Sequence, residues 1–110
     1  MLSFSGNARI LLYRDPTNMR KSFEGLACVV EQAFSENLTS GTFFVFLNRR
    51  KDRMKVLYWD GDGLAIWYKR LEKGTFSCRK DNQFLMSRRE FLMLVEGVVP
   101  KRMKHRYNTS

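Results

Sequence analysis

The sequence predicts a small single α+β domain, in which a largely antiparallel sheet carries two main helices. Short runs rich in aromatic and β-branched residues recur at hairpin spacing, above all Phe43–Leu47 and Met54–Trp59 around the polar tract Asn48-Arg49-Arg50-Lys51-Asp52-Arg53. Two longer stretches, Met19–Phe34 and Ser87–Glu96, hold apolar residues at helical spacing. At 110 residues, 44% of them hydrophobic, the chain can bury one modest core, and no repeat or linker divides it. The domain is drawn over residues 1–99, with 100–110 as a basic flexible tail.

Each element has a local reason. Residues 7–14, NARILLYR, read as a first strand, which Asp15-Pro16-Thr17-Asn18 stops. Pro16 fits a first helical position with Asp15 or Thr17 as N-cap, and Met19, Phe23, Leu26, Val30 and Phe34 then share one face. Gly25 inside this helix costs about 1 kcal/mol against Ala, and a close approach to the neighbouring sheet would account for it. After the hairpin, Asp60-Gly61-Asp62-Gly63 is a turn signal. The segment Leu64–Lys73 has two readings. As a short third helix it has Asp62 as cap, terminal cations Lys69, Arg70 and Lys73, and Gly74 as stop; as a strand, Leu64, Ile66 and Tyr68 alternate with Ala65, Trp67 and Lys69. The caps and cations favour the helix. Thr75–Cys78 and Gln83–Met86 read as short strands, and Ser87 with Glu90 forms a capping box opening the last helix, which Gly97 ends.

Composition narrows the function classes. No apolar run reaches membrane-spanning length and no leader pattern opens the chain, so a cytoplasmic protein without a membrane partner is expected. Cys28 and Cys78 form no CxxC pair and are expected to be reduced, packed thiols. The net charge of +9 is unevenly spread: residues 1–40 hold four basic and four acidic groups, whereas 41–110 hold sixteen and seven. Such asymmetry marks a binder of nucleic acid or another anionic surface.

Catalysis has few places to sit. The one histidine, His105, lies in the tail, so no His-based triad or multi-His metal site can form. Asp60 and Asp62 are the only close acidic pair. With Glu72 they could hold Mg²⁺ as in a small nuclease, but a turn explains both more simply. The match to a calcium loop fails at Leu64 and Leu71, where oxygen ligands are needed. Neither metal, cofactor nor small-molecule substrate is expected. Basic groups beside aromatics are the stronger candidates: Arg49, Arg50, Lys51, Arg53 and Lys55 as one phosphate-binding edge, Lys69 and Arg70 after Trp67-Tyr68, and Lys101, Arg102, Lys104 and Arg106 as a flexible clamp. The aromatic residues themselves read more readily as core. No zinc-finger spacing, RRM signature or helix-turn-helix is present.

Several stretches carry a resemblance that covers nearly the whole chain. They are Met1-Leu2-Ser3-Phe4, Pro16-Thr17-Asn18-Met19-Arg20-Lys21-Ser22-Phe23-Glu24-Gly25-Leu26, Phe46–Lys55, Leu57-Tyr58-Trp59-Asp60 and Trp67–Phe76. In this order they resemble the small TnpB-type accessory proteins of the bacterial insertion-sequence family numbered sixty-six, which are distinct from the much larger RNA-guided nuclease sharing that name. Departures are local, at Ser5 and over Arg79–Gln83. The resemblance implies a protein encoded beside a separate transposase and needed for efficient transposition, with no catalytic residues of its own. Two readings follow: an accessory protein that binds transposon-end DNA together with transposase, or an adaptor that docks on transposase without touching DNA.

Overall fold

A computed structural model describes residues 8–76 and 85–96. Their order is β1 (Ile10–Leu12), α1 (Phe23–Ala33), β2 (Phe43–Leu47), β3 (Arg53–Trp59), β4 (Leu64–Arg70), β5 (Leu85–Met86) and α2 (Arg88–Val95). The five strands form one sheet in the order β4-β3-β2-β1-β5. Only β1 and β2 run parallel, joined through α1, and the remaining pairs are antiparallel. This is the α+β architecture read from the sequence.

Alternation along β2 explains how two helices share one sheet. Phe44 and Phe46 join Leu11, Leu57 and the α1 residues Leu26 and Val30 on one face. Phe43, Val45 and Leu47 join Ile10, Leu12, Met54, Val56 and the α2 residues Phe91 and Leu94 on the other. Every residue of β2 is therefore buried, as in a central strand covered on both sides. Phe76, fully buried, fills the α2 side.

Several expectations need correction. Leu64–Lys73 is not a helix: Leu64–Arg70 pairs with β3 over seven residues, from Trp59↔Leu64 to Arg53↔Arg70. Without that partner, the outer edge of β3 would be unpaired; the ladder outweighs the local capping signals. Asp62 consequently caps nothing helical. The Asp60 amide donates to the Gly63 carbonyl at 2.7 Å and Gly61 takes φ +82°, which closes a tight hairpin loop.

The first helix also begins later than Met19. The Thr17 amide bonds the Leu47 carbonyl of β2, and Asn18 closes a turn by accepting from Arg20 N–H at its side chain and from Lys21 N–H at its carbonyl. Helix starts only at Phe23, with Ser22 rather than Asp15 or Thr17 at the N-cap. A Cβ at Gly25 would meet Lys21 Cβ and Cγ at 3.1 Å, so its close neighbour is that side chain and not the sheet. Cys28 is exposed, not packed. The capping box of α2 is present: Glu90 N–H donates to Ser87 Oγ at 3.0 Å, and Ser87 N–H donates to Glu90 Oε1 at 2.9 Å. The strand expected at Thr75–Cys78 is absent at Thr75 and Phe76. Its remainder, Cys78, Gly97 and the tail with Lys101, Arg102, Lys104 and Arg106 lie outside the described residues.

Candidate nucleic-acid interface

The β2–β3 connector is shaped by Asn48, a residue the sequence reading passed over. Its Oδ1 accepts from the amides of Asp52 (3.0 Å) and Arg53 (2.9 Å), and its Nδ2 donates to Asp52 Oδ1 at 2.7 Å. The Asn48 carbonyl also accepts from Lys51 N–H, and Lys51 takes the left-handed conformation at φ 61°. An asparagine can bond its own following backbone in this way because its short amide reaches it, which is the signal that could have singled it out. The bond from Asn48, aided by the nearby Arg50 and Arg53 charges, holds the Asp52 carboxyl below its usual pKa.

A second segment clamps the tip from outside. Leu71 N–H donates to the Asp52 carbonyl at 2.8 Å, and Phe76 N–H donates to the Lys51 carbonyl at 2.7 Å. The buried Phe76 ring ties this segment to the core. The backbone under Arg49, Arg50 and Lys51 is thus fixed from within and from the side, while all three residues are exposed.

The remaining expected binding residues divide. Arg53, half-buried, lies directly across the ladder from exposed Arg70, whose guanidinium meets Glu72 at 3.4 Å. Lys55 leaves the exposed edge: it is buried, and its Nζ donates to the carbonyls of Met19 and Lys21 at 2.8 Å each. Strand alternation turns it towards the α1 side, where the 19–21 turn supplies acceptors. Lys69 points the other way and donates to the Val95 carbonyl at 2.8 Å, where a cation favours the C-terminus of α2. Trp67 packs against the α2-side core, whereas Tyr68 stays exposed.

The acidic groups gather nowhere comparable. Among the described residues no cluster of three or more His, Cys, Asp or Glu could hold a metal ion, and no helix is long and apolar enough to cross a membrane. The family model described as IS66 Orf2 like protein matches residues 8–105. The chain belongs to this family. Among its relatives is uncharacterized protein y4jC of Sinorhizobium fredii (strain NBRC 101917 / NGR234), 35% identical over 108 residues, covering 96% of this chain and 92% of the relative. Uncharacterized protein y4hO of the same strain is 36% identical over 76 residues, covering 69% of this chain and 66% of the relative. No solved structure matches. Membership of the IS66 Orf2-like family connects the chain with an accessory role in insertion-sequence transposition and with the transposase of such an element.

Proposed function

We propose that this IS66 Orf2-like protein is a non-enzymatic accessory factor that binds duplex DNA at the ends of its element through the hairpin tip, together with the transposase. The clamped tip carries the reading. Arg49, Arg50 and Lys51 extend from one connector whose backbone is held by Asn48, Leu71 and Phe76. Crowded like charges disfavour the free fold, and a phosphate backbone relieves them. Because the backbone beneath is already ordered, binding forfeits little conformational entropy there. Arg53 and Arg70 continue the basic edge, and Lys101, Arg102, Lys104 and Arg106 supply further cations from the tail. Phosphate contacts of this kind position the protein without reading sequence. The expected action is therefore to hold DNA ends for the transposase, in the cytoplasm, with neither cofactor nor catalytic group.

The adaptor reading remains the rival, because the same cations could meet an acidic surface of transposase. Binding of the purified protein to element-end duplex and to scrambled duplex over a salt series tests the proposal. Similar affinity for both, falling with a slope of about 0.9 per phosphate contacted, supports it. No binding of either at physiological salt, with transposase still co-purifying, favours the adaptor.

A further inference from the structure

The β3–β4 ribbon carries another set of groups beside the tip. Cross-strand register sets Arg53 opposite Arg70 and Lys55 opposite Tyr68, and alternation puts all four on the face that α1 covers further along. Leu57 and Ile66, the next pair on that face, pack with α1. Tyr68 does not: it remains 48% exposed. Lys55 Nζ lies 4.9 Å from the centroid of its ring, so an ammonium fixed by two carbonyls supports the aromatic group. The same two bonds bring the backbone of the Arg20 and Lys21 turn to the rim of this face.

Folding accounts for Lys55 but gives little reason for the Arg53–Arg70 pairing or for the exposed ring of Tyr68. Like-charged residues directly opposed across a ladder, as Arg53 and Arg70 are, destabilise it. Glu72 offsets Arg70 through a contact between two well-exposed side chains that is worth little, and Asp52 is the acid near Arg53. An exposed ring flanked by cations does fit an unpaired nucleobase, whose π-face stacks on the ring while neighbouring phosphates meet the cations. A closed duplex keeps its bases stacked inside and offers the ring nothing comparable.

We propose that this face of the β3–β4 ribbon is a stacking site for an unpaired base, so that the protein engages single-stranded or frayed DNA as well as duplex phosphates. The inference rests on the DNA-binding reading above. Tyr68 stacks, Arg53 and Arg70 take the flanking phosphates, and Lys55 is a positioning residue that holds the ring in place.

The test compares fluorescence anisotropy of the full chain with a labelled oligothymidylate and with a labelled duplex of equal length. Tyr68→Ala should weaken single-strand binding by about 5–150-fold, the range given by about 1–3 kcal/mol per stacked base. Duplex affinity and the single-strand salt slope should stay unchanged, because no charge is removed. Tyr68→Phe should restore single-strand binding, and Tyr68→Leu, which keeps apolar bulk without the ring, should not. Arg53→Ser with Arg70→Ser should reduce the single-strand salt slope by about 0.7 per lost contact. Unchanged single-strand affinity in Tyr68→Ala, or equal losses on both substrates that Phe does not rescue, overturns the stacking site while leaving duplex binding in place. A wild-type protein that binds neither substrate overturns both readings.

Discussion

Asn48→Ala removes the side chain that shapes the hairpin tip while leaving every cation there intact. Three hydrogen bonds disappear, two received from the Asp52 and Arg53 amides and one given to the Asp52 carboxylate. A typical intramolecular hydrogen bond contributes about 0.5–1.5 kcal/mol. The site is half-buried, so water replaces part of what is lost, and the expected net cost is about 2 kcal/mol. For a domain of this size that corresponds to a fall in Tm of about 8 °C. The same substitution should raise the Asp52 pKa towards its ordinary value, because the Asn48 bond is the main cause of its depression. A carboxyl whose folded pKa is depressed adds stability above its unfolded pKa, and that stability is lost as pH falls through the folded value. The wild-type tip should therefore lose its Asp52 contribution as pH falls below the ordinary carboxylate range, and the variant should lose less, since the Arg50 and Arg53 charges remain. Thermal unfolding by circular dichroism and a carboxyl titration by NMR measure both effects. A Tm within about 2 °C of wild type, less than about 0.5 kcal/mol by the same conversion, would refute the role given to Asn48.

Other positions give independent checks. Lys55→Met keeps the aliphatic stem but leaves the Met19 and Lys21 carbonyls without their ammonium donor, and should cost about 1–3 kcal/mol in urea unfolding; an unchanged midpoint would remove Lys55 from the fold's support. Lys69→Met should cost about 0.5–1 kcal/mol and speed hydrogen exchange in α2, since the cation at the Val95 carbonyl is gone. Equal exchange in both proteins would show that this contact adds nothing.

The sequence was most legible where local and tertiary signals agreed. Phe43–Leu47 and Met54–Trp59 are β-prone runs around a turn-prone tract, and the sheet pairs them as such. Ser87 and Glu90 satisfy each other's backbone within one turn, so the last helix needed no distant information. At Leu64–Arg70 the two kinds of signal conflicted. Asp62, Gly74 and the terminal cations read as helix punctuation, but pairing with β3 depends on residues that periodicity within the segment cannot reveal.

The candidate binding residues were legible as a composition and not as a surface. Lys55 is one more cation in a basic stretch until β4 and the 19–21 turn decide which way it faces. Lys69 is likewise committed to a helix end that lies 26 residues further along the chain. Arg20 and Lys21, in the charge-neutral first part of the chain, belong to a turn that the Lys55 bonds to the Met19 and Lys21 carbonyls tie to the ribbon. Arg49, Arg50 and Lys51 are exposed as a charged hairpin connector leads one to expect, since the segment that clamps the connector bonds the Lys51 and Asp52 carbonyls.

The most direct test of the account replaces Arg49, Arg50 and Lys51 together with Ser and follows duplex affinity over a salt series. Substitutions at exposed positions usually cost within about ±0.5 kcal/mol, so the variant should fold, as unfolding curves would verify. Affinity for all duplex sequences should fall together, and the slope of log K against log salt should shrink by about 0.9 per lost phosphate contact, or roughly 2–3 in all. A folded variant with the wild-type slope, and with transposase co-purification lost, would contradict the DNA-binding role of the hairpin tip.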